Sequence, residues 1–577
     1  MLSFLFIITV FLLPIRSEQQ QQQQNIFENI YYCISEQSNF QIFPCNPNNN
    51  NERPDFSQQE KNQSNIIAYA RFINHINRTG WSELDIGTNP NQNDYLQAYF
   101  AGYLEGKLTK KLIRSYQYNI LDGNECQLYK DFIEKSLNNT IERSLKKSNQ
   151  NDPYWIQIQL QLLQLAGLDD GYLNTKINRK IILNNPDFIL KNIDPCGTIL
   201  LHLYTEYDDI EYLLNHRQPS KQPSEHCSAL IKILPNRKDI YVSHVTFANL
   251  KSMLRIMKRY NLNYRTSNSK TLVMSSYPGT LFSIDDYYIL SEHMIVQETT
   301  IHNYSLELYK KISINEMIFE FLRTMVANRL ARNGQEWSKI FSYYNSGTYN
   351  NQFMIIDYKK FQPDQQKIQP NFLWILEQMP GIIIANDMTE ILLKQTYWPS
   401  YNVPYFKDIY NISNTNEMFR KFGEHYSYDK CGRAQIFKRD HNNVMNLKTM
   451  YHLMRYNNFY NDPLSRCNCT PPYTGYRAIS SRCDLNDPNG HYPLDAYSFR
   501  SSAGLDVKLT NYNHSKLLQM IAVSGPTYDQ VPVFSWKTTK LKNIKHLDQP
   551  IEWKFKPILT DWNHTNVNGF NEFQFDL

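Results

Sequence analysis

The chain has 577 residues and a formal net charge of +5, with 41% hydrophobic and 14% aromatic residues. That composition excludes a disordered or fibrous protein and supplies enough apolar surface for a sizeable core. Lys and Arg are interleaved with Asp and Glu rather than gathered into a stripe, so no nucleic-acid partner is expected.

Residues 2–13 form an apolar run, followed by Pro14 and a small residue, Ser17, at a cleavage position. The run falls short of the ~20 apolar residues a spanning helix needs and reads as a secretory signal peptide over 1–17, although a basic leader is missing. No later segment is apolar enough to span a bilayer, so a soluble chain destined for the secretory pathway, lysosomal or extracellular, is expected. Gln and Asn tracts at 19–24 and 48–51 are compositional bias and carry no function. Sequons at Asn62, Asn77, Asn138, Asn303, Asn411, Asn468, Asn513 and Asn563 fit export, though an Asn-rich chain gives several by chance. Nine cysteines in an exported chain imply disulfides and leave at least one thiol over in a monomer; Cys227 is the candidate.

Residues 30–215 read mostly as helix, including 155–165, whose alternation would also fit a strand. Beyond Cys227 short β-type runs follow at 227–234, 240–243, 271–275, 287–290 and 295–300. Leu250, Met253, Leu254 and Met257 line up to predict a helix over 248–260. Ser313 and Glu316 have capping-box spacing ahead of a Met and Phe stripe, predicting a helix that starts there and stops at Gly334. Apolar strands are expected at 353–356 and, behind the Pro380-Gly381 turn, at 382–385. No repeat and no dividing linker stand out, which points to one compound α/β globule.

Several chemistries lose their sequence support. No Gly-x-Ser-x-Gly elbow exists; Gly102/Gly106 and Gly167/Gly171 have the separation, but Leu104 and Asp169 stand at their centres. Cys467, Cys469 and Cys483 with His491 lack the usual zinc spacing, and disulfide chemistry is the expected use. Neither a phosphate loop nor a dinucleotide fingerprint occurs, so no cofactor or metal is expected.

Cys227 opens a strand-like run directly after the turn-prone residues 218–226. Hydrolysis of the His226–Cys227 bond would give one residue a free thiol and a free α-amine, nucleophile and base together, titrating near ~8.5 and ~7.7. A buried structural cysteine at a strand start is the plainer reading of this segment alone.

Longer matches decide between them. Asn345-Ser346-Gly347-Thr348-Tyr349-Asn350, Glu377-Gln378-Met379-Pro380-Gly381, Tyr397-Trp398-Pro399-Ser400-Tyr401-Asn402 and Arg433-Ala434-Gln435-Ile436-Phe437 are similar to signature stretches of the phospholipase B-like family. Ser276-Tyr277-Pro278-Gly279, Asp462-Pro463-Leu464-Ser465 and Ser524-Gly525-Pro526-Thr527 add to the resemblance, which runs from about residue 95 almost to the C-terminus. It implies an N-terminal-nucleophile hydrolase, an α/β (α+β) four-layer αββα sandwich cut immediately before a cysteine. Cys227 takes that place, with His244, Asn402 and Arg433 completing the site and Asp286 as a candidate carboxylate facing the amine.

In that scheme Asn402 offers an amide donor to an oxyanion, Arg433 supplies positive charge that favours the thiolate, and His244 orients the nucleophile or relays a proton. Each has a structural alternative: His244 as a core histidine, Asn402 as a turn former, Arg433 as an ion-pair partner. His226 departs from the small residue that would crowd the cut least. The expected products are residues 18–226, mostly helical, and 227–577, which stay associated around a common core. The implied activity removes fatty acyl groups from glycerophospholipids through a cysteine acyl-enzyme, with peripheral contact to membrane lipid. An N-acyl amide or peptide hydrolase and a non-catalytic lipid-binding glycoprotein are the alternatives.

Overall fold

The computed structural model describes residues 30–45, 53–54, 56, 65–175, 186–215, 226–562 and 569–575. The expected leader, the Gln and Asn tracts, the stretch 218–225 and the sequons at Asn62 and Asn563 lie outside the described residues.

Eleven strands form the larger sheet, in the order Ile382–Asp387, Leu373–Met379, Asn351–Asp357, Met294–Thr300, Tyr288–Leu290, Thr271–Ser276, Arg255–Asn261, Trp81–Thr88, Ile66–His75, Tyr32–Ser35 and Ile42–Pro44. Every neighbouring pair is antiparallel except Trp81–Thr88 with Arg255–Asn261, which is parallel and joins the strands before residue 226 to those after it. The second sheet has eight strands: Tyr397–Ser400, His226–Ile233, Ile240–Asn249, Asp506–Thr510, Ile521–Ser524, Ile558–Leu559 and Asn571–Glu572 in order, with Ser502–Gly504 also on Ile240–Asn249.

Side chains alternate between the faces of a strand, and here both faces are covered. Ala229, Ile231 and Ile233 of the smaller sheet share a core with Met257, Val273, Ile289 and Ile295 of the larger. Leu230, Tyr241 and Val245 turn the other way, against Ile436, Phe437 and Met450 of the helices Gly432–Asp440 and Leu447–Met454. On the far face of the larger sheet, Ile256, Leu272 and Val296 pack against Phe100, Leu104 and Leu162. The molecule is thus a mixed α/β protein.

Those last helices, Asp94–Leu108 and Pro153–Leu173, cross through glycine. A Cβ on Gly167 would stand 1.9 Å from the Tyr99 carbonyl oxygen, and one on Gly102 1.9 Å from that of Gln164. The two glycine pairs that fail as a serine elbow are the contact that lets these backbones touch. The alternating stretch 155–165 is helical, as expected, because that helix is buried almost all round.

Residues 30–215, expected to be mostly helix, open with four strands, and the long helices begin at Asp94. Two expectations need correction. Residues 248–260 are not a helix: 248–249 end strand Ile240–Asn249, a short turn covers Leu250–Ser252, and strand Arg255–Asn261 follows. Ile256 and Tyr260 enter one core and Met257 the other, and a strand buried on both faces is too apolar for its period to show. Ser313 does not start a helix; its carbonyl accepts from the backbone N–H of Glu316 and of Met317 in a turn, and the helix runs Glu320–Leu330. Met317, Ile318 and Phe319 are buried in the segment ahead of it. Gly334 opens the next helix, Gly334–Phe341, capped by Asn333, rather than closing this one.

Candidate active site

Cys227 is the second residue of strand His226–Ile233, which lies inside the smaller sheet between Tyr397–Ser400 and Ile240–Asn249. Cys227 faces Thr246 across the ladder and Ala229 faces His244, so Cys227 and His244 are diagonal neighbours on one face. Glu298 reaches the same place from strand Met294–Thr300 of the larger sheet. The Cys227 sulfur, a His244 ring nitrogen and a Glu298 carboxylate oxygen lie within 4.8 Å of one another. All three side chains are buried. Donors of these types also suit zinc, although the spacing is looser than a closed tetrahedral shell.

The Cys227 main chain is held from two sides. Its N–H donates to Asn402 Oδ1 at 3.2 Å, while Asn402 Nδ2 donates to the Thr300 carbonyl at 2.8 Å. One of the two Asn402 amide hydrogens is therefore committed away from the nucleophile. Asn402 sits at φ +70°, a left-handed conformation that asparagine tolerates better than most residues. Arg433 Nη1 donates to the Cys227 carbonyl at 2.6 Å and to Ser228 Oγ at 3.3 Å, and Nη2 donates to the Tyr401 carbonyl at 2.9 Å. Arg433 is thus a main-chain clamp.

Lys508 is a positive charge that acts on the sulfur. Lys508 pairs across the ladder with His244, and its Nζ donates to Thr246 Oγ1 at 2.6 Å, to both Asp506 oxygens at 2.9 and 3.0 Å and to Asp285 Oδ2 at 3.1 Å. Arg255 forms ion pairs with both aspartates. Burial would raise the Asp285 carboxyl, yet Arg255 and Lys508 together hold it well below the usual carboxylate range. Burial pushes the Cys227 thiol well up, the Glu298 charge adding to it and Lys508 opposing. Burial pushes the His244 imidazole well down, with Lys508 adding. Neither His244 ring nitrogen has a well-aligned hydrogen-bond partner; the Glu298 backbone is only a weak polar contact. In the intact chain the protonated thiol and the neutral imidazole are the favoured forms.

Asp286 is buried beside Tyr288. At φ +45°, it accepts from the Tyr288 hydroxyl at 3.0 Å on Oδ1 and leaves Oδ2 unpartnered. Burial, then Glu320 and Glu298, raise its carboxyl well above normal. Its neighbour Asp285 is the aspartate whose charge acts on both Cys227 and His244. Sequence reasoning missed Glu298, Lys508 and Asp285. The signals were Glu298 inside the run 294–300, Asp506 and Lys508 inside the run 505–509, and an Asp pair in which either member could face the site.

Cys467 and Cys469 form a disulfide, which removes two of the zinc ligands considered from sequence. Cys33–Cys45 and Cys126–Cys196 are also bonded, and Cys227, Cys431 and Cys483 are free.

A cavity of about 830 Å³ opens beside the site, with walls from both sides of residue 226, among them Tyr129, Tyr207, Thr300 and Tyr304. A second space of about 20 Å³, lined by Asn402 and Arg433, shares His302, Tyr304 and Tyr426 with it.

The profile of the family described as Phospholipase B matches residues 68–560. The chain belongs to the phospholipase B family. A phospholipase B-like 2 protein of Homo sapiens is 41% identical over 517 residues, covering 86% of each chain. Phospholipase B-like protein B of Dictyostelium discoideum is 38% identical over 497 residues, 85% of this chain and 84% of that one. A phospholipase B-like 1 protein of Caenorhabditis elegans is 38% identical over 531 residues, 88% and 90%. The family is one of phospholipase-like hydrolases, and no helix among the described residues of this chain is long and apolar enough to cross a membrane.

Proposed function

We propose that the protein is an acyl hydrolase of the secretory pathway, lysosomal or extracellular, that acts on glycerophospholipids with Cys227 as an N-terminal nucleophile. The observation that carries this reading is the convergence of Cys227, His244 and Glu298 within 4.8 Å, with the Cys227 nitrogen held on Asn402. The shared core between two sheets, with helices on both outer faces, supports the αββα architecture of that class.

The buried, protonated thiol is the state expected of a precursor, since the nitrogen beside it is still an amide and no amine base exists. In maturation, the sulfur attacks the His226 carbonyl, the C–N bond breaks, the nitrogen takes the proton, and water hydrolyses the thioester to leave residues 18–226 and 227–577. The freed amine, held by Asn402, then takes the thiol proton as the sulfur attacks a lipid ester. The alcohol leaves with that proton, and water activated by the amine releases the fatty acid. The second Asn402 amide hydrogen is available to the oxyanion.

Intact mass and N-terminal sequencing of protein purified from its secretory pathway test the reading. A new N-terminus at Cys227, lost in Cys227→Ala together with fatty acid release from phosphatidylcholine, is expected. An uncut wild-type chain that still releases fatty acid would overturn the role of Cys227.

A further inference from the structure

The 830 Å³ cavity has a chemical character that the hydrolase reading does not require. Asp122, Glu125, Asp208, Asp209 and Asp495 line it against Lys251 and Lys421. Its aromatic walls are close-set: the Tyr129 and Tyr207 rings stack at 4.6 Å between centroids, and Tyr204 meets Tyr207 edge-on at 6.5 Å. One ring already hosts a cation, since Lys251 Nζ stands 5.8 Å from the Tyr204 centroid. Aromatic faces combined with carboxylates are how proteins hold ammonium groups that cannot all be satisfied by hydrogen bonds.

The same walls carry donors for an anion. Lys421 is exposed on the lining. Asn303 is 8% exposed, its Oδ1 accepts from the Ser305 N–H, and its Nδ2 meets no well-aligned acceptor. The Tyr309 hydroxyl beside it, already donating to Asp209, is only a weak neighbour. Half-exposed Leu128 and Phe422 add apolar surface to the lining. Thr300 ties the cavity to the nucleophile, because its carbonyl holds the asparagine that holds Cys227.

We propose that this cavity is a headgroup site for a zwitterionic ammonium lipid, the aromatic and acidic wall taking the ammonium while Asn303 and Lys421 face the phosphate. The assignment deepens the hydrolase reading and rests on it for the acyl chemistry alone, since the binding event does not involve Cys227.

The test is calorimetric titration of the purified protein with choline, with ethanolamine and with 3,3-dimethylbutan-1-ol, which has the shape of choline without its charge. An ammonium ligand is expected to bind at least about tenfold tighter than the neutral isostere. The order of choline and ethanolamine then tells which headgroup the site prefers. The double variant Asp208→Asn/Asp495→Asn, altered at two exposed positions, is expected to lose about tenfold for the ammonium ligand and nothing for the isostere. Equal binding of charged and neutral compounds, or an undiminished ammonium affinity in the double variant, overturns the proposal. Cys227→Ala is expected to bind as wild type. Ammonium selectivity without any acyl hydrolysis would remove the nucleophile reading and leave the headgroup site standing. Hydrolysis of phosphatidylcholine without ammonium selectivity would do the reverse.

Discussion

Lys508 and His244 face each other across adjacent antiparallel strands, and the lysine turns its ammonium to Asp285 and Asp506 rather than to the imidazole. It thereby completes a buried four-charge group with Arg255 while raising the cost of protonating His244. Lys508→Met would leave two buried carboxylates to one guanidinium. A loss of about 3–5 kcal/mol is expected from breaking a fully buried pair, read by urea unfolding. A loss under about 1 kcal/mol would show that the group does not stabilise the fold.

Asn402 has two separable jobs, accepting from the Cys227 nitrogen and donating to Thr300. Asn402→Ala is expected to lower kcat of the cleaved enzyme by about 100-fold, the scale of losing one positioned amide at a reacting centre. Asn402→Asp keeps the acceptor but not the donor. Activity close to that of wild type in Asn402→Asp would assign the whole effect to holding the amine.

Buried carboxyls make the fold acid-favouring. Burial raises Glu206 to about 8 and Glu320 to about 7; Glu206 Oε1 accepts from the Glu320 N–H, and Thr348 donates to the other Glu206 oxygen. Glu83 and Glu377 are also raised, each to about 7. For such groups the folded state binds more protons than the unfolded state from about pH 4.5 upward, so stability falls as pH rises. Below pH 6.5 buried histidines oppose this, since His202 and His302 are pushed down to about 3 and the unfolded chain takes up their protons. Above pH 6.5 the opposition of the histidines fades as the unfolded chain loses those protons, and Lys232, pushed down to about 8 by burial, opposes the carboxyls only toward pH 8. Tm is expected to fall between pH 6.5 and 8, and Glu206→Gln to flatten that slope; a Tm that rises over this interval would contradict the assignment.

Asn303 is the one sequon among the described residues whose asparagine is buried, whereas Asn77, Asn138, Asn411, Asn468 and Asn513 are exposed. Its side chain is spent in a turn to Ser305 and lies in the cavity wall. Peptide mapping after enzymatic deglycosylation, which converts each occupied asparagine to aspartate, is expected to find Asn303 unmodified. Substantial occupancy there would mean that the loop around Asn303 opens before folding is complete.

The contact between helices Asp94–Leu108 and Pro153–Leu173 leaves no room for a methyl group. Gly167→Ala is expected to cost about 1–3 kcal/mol or more, because the backbones must separate to admit the Cβ. Thermal unfolding reads it, and an unchanged Tm would show that the helices can part freely.

Legibility followed burial. Strands covered on one side by a turn signal, such as Ile382–Asp387 behind Gly381, could be read directly from sequence. Arg255–Asn261 could not, because burial on both faces erases the alternation that marks a strand. At the site, Cys227, His244, Asn402 and Arg433 were named through motifs, and the structure brings the first two together side by side and sets the other two on the Cys227 main chain. Glu298 and Lys508 carry no motif: Glu298 is the one charge of its strand, Lys508 shares its strand with Asp506, and only the packing of one sheet on the other says what each faces. Asp285 and Asp286 adjoin in sequence, and the φ of +45° at Asp286 is what sends them to different surroundings.

The parallel pair Trp81–Thr88 and Arg255–Asn261 gives the proposed cut an unusual physical outcome. None of the three disulfides bridges residue 226, so the two products would share no covalent bond. They would nevertheless share the middle of an eleven-stranded sheet, and a buried ion pair between Glu105 and Lys258 beside it. Such a protein could leave its folded state once and return only by collision: renaturation of the cut form would become second order and slow on dilution, while the uncut precursor would refold at a rate independent of concentration.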